Sequence, residues 1–116
     1  MNSSSLKHLI RKTLEDHKAQ LITDLDITAL SDVADCMMIC TATSTRHAKT
    51  LADKLIQAIK QSGRSTIGVE GEQAGEWVLI DLGDVLVHIM LEKQREYYQI
   101  DKLWTAAENY RKQKTR

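Results

Sequence analysis

Residues 75–90, GEWVLIDLGDVLVHIM, alternate in side-chain character on both sides of Gly83 and Asp84, and this pattern constrains the fold more than any other in the chain. Alternation is the period of a half-buried strand. Glycine at the first central position of a two-residue loop suits the mirror-image turns whose twist matches paired strands. The register follows: Leu82 faces Val85, Ile80 faces Val87 and Val78 faces Ile89, so one surface has six aliphatic side chains and nothing else. Burying each is worth about 1.5–3 kcal/mol before entropy is subtracted, which together rivals the net stability of a small domain. A one-residue slip would forfeit it. The other surface must then carry Trp77, Leu79 and Asp81 from one strand and Leu86, His88 and Met90 from the next, with Asp81 and His88 as diagonal neighbours.

The rest of the chain supplies layers for this hairpin. Leu6, Leu9, Ile10, Leu14 and Leu21 recur at helical spacing behind Ser3, Ser4 and Ser5, any of which can cap a first turn; this predicts a helix over about 5–19. LITDLDIT is predicted to be a short strand. CMMIC, continuously apolar, fits a central strand covered on both faces. After TATSTRH, with Ser44 or Thr45 as cap, Leu51, Leu55 and Ile59 form one stripe of a second helix beside Ala48, Ala52 and Ile56, ended by Gly63. STIGVEG reads as a third short strand. The last segment is predicted to begin a helix near Gln99, with Ile100, Leu103, Trp104 and Ala107 on one face and a frayed basic end. At 116 residues the chain fits one domain of the usual size, about 100–150 residues. The expected architecture is α/β: a single domain, residues 1–116, with a mixed sheet, helices packed on it, and flexible ends at about 1–4 and 110–116.

Charge narrows the function. Sixteen basic residues balance sixteen acidic ones, so there is no net field to attract nucleic acid or anionic lipid. Locally, residues 67–91 contain Glu70, Glu72, Glu76, Asp81 and Asp84 and no lysine or arginine, whereas Arg46, Lys49, Lys54, Lys60 and Arg64 face only Asp53 across 41–66. This suggests an acidic patch. Cys36 and Cys40, four apart on one strand and so about 13 Å from each other, cannot bridge each other, and a reducing cytosol is the simpler compartment. No stretch is long and apolar enough to span a membrane, and the N-terminal region lacks the apolar core of a signal peptide.

A carboxylate near an imidazole on one sheet face is an acid/base pair, a metal site or a polar contact on a binding surface. Nucleophilic catalysis needs a serine or cysteine within reach of His88, and the sequence places none there. A metal needs three or four ligands, and His8, His17 and His47 sit on predicted helices without HExxH-type spacing. Trp77 flanked by hydrogen-bonding groups favours an interface anchor. The plainer alternative is core polarity, with the C-terminal helix covering Trp77.

Three stretches, SDVADCMMICTATSTRHAKTLAD, VEGEQAGEWVLIDLGDVLVHIM and REYYQIDKLW, in this order and spacing, resemble the Iojap family of ribosomal silencing factors over roughly residues 5–105. The family's motif positions fall on Asp35, Ser44, Arg46, His47, Glu70, Gly71, Trp77, Asp81, Gly83, Asp84, His88, Arg95, Tyr98, Leu103 and Trp104. Departures are Cys36 and Met37 in place of aromatics, Ala42 for a common glycine and Asp101 for glutamate; they bear on packing and dimer contacts more than on partner binding.

The resemblance implies a nucleotidyltransferase-like (Iojap-type) α/β fold and a cytoplasmic bacterial, or organellar, protein that is often a homodimer when free. It also implies binding to the large ribosomal subunit through ribosomal protein L-fourteen, blocking the small subunit and repressing translation under nutrient limitation, with no cofactor, metal or catalytic residue. Glu70, Trp77, Asp81, His88, Arg95 and Tyr98 are the residues expected to reach the partner. The rival is a metal-dependent nucleotidyltransferase-like enzyme using the N-terminus of the helix after TATST for phosphate. Against it, Asp81 and Asp84 are three apart across a turn, not two apart on a strand, and Thr43-Ser44 lacks the glycine of such loops. A minor contact of the basic tail RKQKTR with ribosomal RNA is a third reading.

Overall fold

Every residue of Cys36–Ala42 is buried, and the sheet is built outward from this strand. The computed structural model describes residues 3–28, 34–100 and 102. In chain order its elements are α1 (Ser3–Asp16), β1 (Gln20–Asp26), β2 (Cys36–Ala42), α2 (Thr45–Gln61), β3 (Gly68–Glu70), β4 (Trp77–Asp81), β5 (Val85–Leu91) and α3 (Glu92–Tyr98). The five strands form one mixed sheet in the order β1-β2-β5-β4-β3. Only β2 and β5 are parallel; the other neighbours run antiparallel. The single α/β domain with helices on a mixed sheet matches the sequence expectation.

The predicted hairpin register holds. Ile80 pairs with Val87 and Val78 with Ile89, and the Leu82 N–H donates to the Val85 carbonyl across the turn. Gly83 has φ +87°, where a side chain would be strained. All six aliphatic residues are buried. They join Cys36, Met38 and Cys40 of β2, Leu6, Ile10 and Leu14 of α1 and Leu51, Leu55 and Ile59 of α2 in one core. Both long helices therefore pack on the same side of the sheet.

Helix ends follow their capping chemistry. Ser44 caps α2, its Oγ accepting the His47 N–H at 3.0 Å, and Gly63 just beyond the helix adopts φ +90°. The first helix runs from Ser3 to Asp16 instead of 5–19, because Lys18 at φ 68° turns the chain. Leu21 is consequently not on the α1 stripe. It lies in β1 at φ 49°, within the irregular pairing between Gln20 and Thr23, and is 72% exposed.

A short helix, α3, went unread in the sequence. It starts at Glu92, directly after β5, and stops where Gln99 adopts a left-handed conformation (φ 48°, ψ 44°). None of its residues is buried, so it has no apolar stripe and no helical periodicity to read. Ile100 and Lys102 are helical again; Leu103, Trp104, Ala107, the tail at 111–116 and the expected flexible end at 110–116 lie outside the described residues.

Candidate docking surface

The sheet has a second face, turned away from α1 and α2, and strand register decides what it carries. Side chains alternate between faces, so β5 places Leu86, His88 and Met90 here. Their β2 neighbours are Met37, Ile39 and Thr41, and their β4 neighbours are Asp81, Leu79 and Trp77. β3 adds Glu70 opposite Leu79. One cross-strand row thus reads Ile39–His88–Leu79–Glu70. Met37, Ile39 and Met90 are buried in a smaller core with Ile27 and Ala34, against which Leu25, Trp77, Leu86 and Ile100 pack part-buried. Cover thins toward β4 and β3, where Trp77, Leu79 and Asp81 are half-buried and Glu70 is exposed.

Asp81 and His88 share this face but form no acid/base pair. An Asp81 carboxylate oxygen accepts the Gly83 N–H at 2.9 Å and so braces the turn. His88 Nδ1 instead accepts the Trp77 indole N–H at 2.9 Å. That bond puts the imidazole proton on Nε2. Nε2 is buried with no partner among the described residues, a state that costs about 1–3 kcal/mol. Burial also pushes the imidazole pKa down to about 4, because the charged form would be desolvated. His88 is therefore neutral at physiological pH.

Aromatic rings extend outward from this pair. Trp77 lies 4.8 Å from Tyr98 between ring centroids, and Tyr98 meets Tyr97 edge-on at 4.9 Å, spacings at which rings attract. Tyr98 is 50% and Tyr97 80% exposed. Thus Trp77, His88 and Tyr98 come together, while Glu70 and Asp81 lie on the same face toward the β3 edge. Arg95 behaves differently. Its guanidinium donates to Thr23 Oγ1 at 2.7 Å, to Thr41 Oγ1 at 3.1 Å and to the Leu21 carbonyl, tying α3 to β1 and β2. Gln94 adds a bond to Glu76 at 2.8 Å.

Two contributors escaped the sequence reading. Tyr97 belongs to no periodic pattern, so nothing distinguished it. Gly71, noted only as a motif residue, has φ +80°, and a Cβ there would lie 2.1 Å from the Trp77 carbonyl oxygen; only glycine lets this loop seat the start of β4. Its signal was the EG dipeptide ahead of the strand.

Elsewhere the chemistry is structural. Cys36 and Cys40 are free and buried. Burial first, aided by the Asp24 carboxylate at Cys36, pushes both thiols up to about 12, so neither is a ready nucleophile. His47 uses Nδ1 to accept the Thr43 N–H at 2.9 Å and Nε2 to donate to the His17 carbonyl at 2.8 Å, which locks the start of α2. Among the described residues no group of three or more His, Cys, Asp or Glu side chains could hold a metal ion. No helix among them is long and apolar enough to cross a membrane.

The sequence model of a family described as "Ribosomal silencing factor during starvation" matches residues 1–116. A Haemophilus influenzae protein named ribosomal silencing factor is 40% identical over 100 residues, spanning 86% of this chain and 98% of that one. Its Chromobacterium violaceum namesake is 39% identical over 104 residues, spanning 90% and 85%. A Chromobacterium violaceum crystal structure superposes with a TM-score of 0.88 at 39% identity, covering 90% of this chain and 88% of that one. One from Bacillus halodurans gives 0.80 at 33% identity, covering 87% and 94%.

Proposed function

This chain belongs to the ribosomal silencing factor family, and we propose that it silences by occlusion. The face carrying Glu70, Leu79, Trp77, Asp81 and Tyr98 docks on the large ribosomal subunit through ribosomal protein L-fourteen. The bulk of the domain then occupies space that the small subunit needs. Translation falls without any covalent chemistry, in the cytoplasm, under nutrient limitation. Free of the ribosome, the protein pairs with a second copy.

The observation that carries this reading is a part-buried Trp77 whose ring meets an exposed Tyr98 in a tilted contact, on the sheet face that α1 and α2 leave uncovered. Aromatic side chains of this kind supply most of the affinity in interfaces, at their centres. Carboxylates at Glu70 and Asp81 on this face, with no lysine or arginine between 67 and 91, suit a basic protein partner and disfavour RNA there. Charge complementarity speeds encounter, while desolvated aromatic contact slows release.

Sedimentation with isolated large subunits, small subunits and joined ribosomes tests the reading. The protein should pellet with large subunits and reduce their joining to small ones. Trp77→Ala should weaken large-subunit binding at least tenfold, roughly 1.4 kcal/mol, with the domain still folded. Unchanged co-sedimentation of the variant would contradict the assignment of this face.

A further inference from the structure

What Trp77 offers a partner depends on His88. An interfacial tryptophan ordinarily keeps its indole N–H as a polar handle, but here that N–H is already donated to His88. The imidazole is only 7% exposed and sits between Ile39 and Leu79 on the flanking strands, with almost no surface for a partner to touch. We propose that His88 is a positioning residue of the docking surface: as an acceptor it fixes the indole in one orientation, so that Trp77 and Tyr98 meet the partner as aromatic surfaces and not as hydrogen-bond donors. This deepens the docking reading and rests on it.

Packing gives no reason for an imidazole at this position. Among the described residues its Nε2–H has no acceptor, and its neighbours Ile39, Leu79, Leu86 and Met90 on the sheet are apolar, so a phenylalanine of similar size would fill the site and remove that unpaired donor, at the expense of the acceptor that Trp77 uses. Among the described residues the one hydrogen bond the ring makes is the one from Trp77. An indole held this way arrives with its orientation already chosen, which removes part of the ordering cost of association. Without an acceptor the part-buried ring samples other rotamers, and its contact with Tyr98 loosens with it.

Two substitutions in the full-length protein separate positioning from packing. His88→Asn keeps a carbonyl oxygen where Nδ1 accepts the indole N–H but buries an unpaired amide. It should melt several degrees lower, yet hold its affinity for isolated large subunits within about threefold of wild type. His88→Phe removes the acceptor and the unpaired donor together. Removing one unpaired donor while freeing the indole N–H should largely cancel, so it should melt nearer the wild-type temperature than the first variant does, yet bind at least tenfold more weakly, and its Trp77 indole proton should exchange with solvent faster, the resonance being assigned with Trp77→Phe. A merely structural role predicts that affinity follows melting temperature; positioning predicts that the two variants invert that order. Wild-type affinity in His88→Phe, or indole exchange as slow as in the wild type, would overturn the proposal. Wild-type protein failing to pellet with large subunits would overturn the docking reading instead, and the exchange comparison would still decide the role of His88.

Discussion

The two faces of the sheet come from the same strands yet differ in kind. Under α1 and α2 the side chains of β4 and β5 include Val78, Ile80, Val85, Val87 and Ile89, all fully buried, with part-buried Leu91 beside them and no polar atom to satisfy. On the other face the alternate residues of those strands include an indole, an imidazole with one unpaired nitrogen, a carboxylate and two part-exposed leucines. The first face follows the rule that apolar surface is removed from water. The second departs from it, and sites where local rules are broken are where function is expected. Period-two alternation makes this division of labour possible, since either face can be altered without touching the other.

The sharpest way to break the comparison is to damage the first face alone. Ile89→Ala should cost about 2–5 kcal/mol of stability, from lost transfer energy and the cavity left behind. The fraction that remains folded should bind large subunits as wild type does, because Ile89 points away from the docking surface. Denaturant unfolding paired with a binding titration measures both. A loss of affinity larger than the unfolded fraction explains would show that the faces are not independent.

Next in size is a pH effect confined to the second face. His88 takes up a proton near pH 6.5 when unfolded but only near pH 4 when folded. Between these values the unfolded chain binds more protons, so stability rises with pH and falls on acidification. Going from pH 7 to pH 4.5 should remove roughly 2–3 kcal/mol through this group alone, and His88→Phe should lose that much less. Equal acid sensitivity in the two proteins would place the titrating group elsewhere.

The contrast between faces also explains what was legible in the sequence. The aliphatic face and its register could be read at once, because a two-residue turn at Gly83-Asp84 and six alternating aliphatics permit one pairing. The same register assigned Trp77, Asp81 and His88 to the other face. What it could not give was which of them bond. Asp81 and His88 are diagonal in register, but rotamers and turn chemistry send Asp81 to Gly83 and His88 to Trp77, and alternation says nothing about χ angles. Helix α3 was invisible for a related reason. It is held by Arg95, Gln94 and a ring contact, not by a buried stripe, so the segment reads as polar with no period.

Arg95 offers the smallest and most discriminating test. Sequence resemblance places it among the partner contacts, whereas its guanidinium is engaged inside the molecule with Thr23, Thr41 and Leu21. Removing it leaves the buried Thr41 hydroxyl short of a donor, and Arg95→Ala should therefore lose on the order of 1 kcal/mol of stability. Because Arg95 holds the helix that carries Tyr98, affinity for large subunits should fall only a few-fold, roughly 0.5–1 kcal/mol, with little change in its salt dependence. A direct contact with an acidic group on the partner would give the opposite pattern: unaltered melting, a larger loss of affinity and a shallower dependence on salt. The two outcomes decide whether the docking surface ends at the aromatic rings or continues over α3 onto the edge of β1.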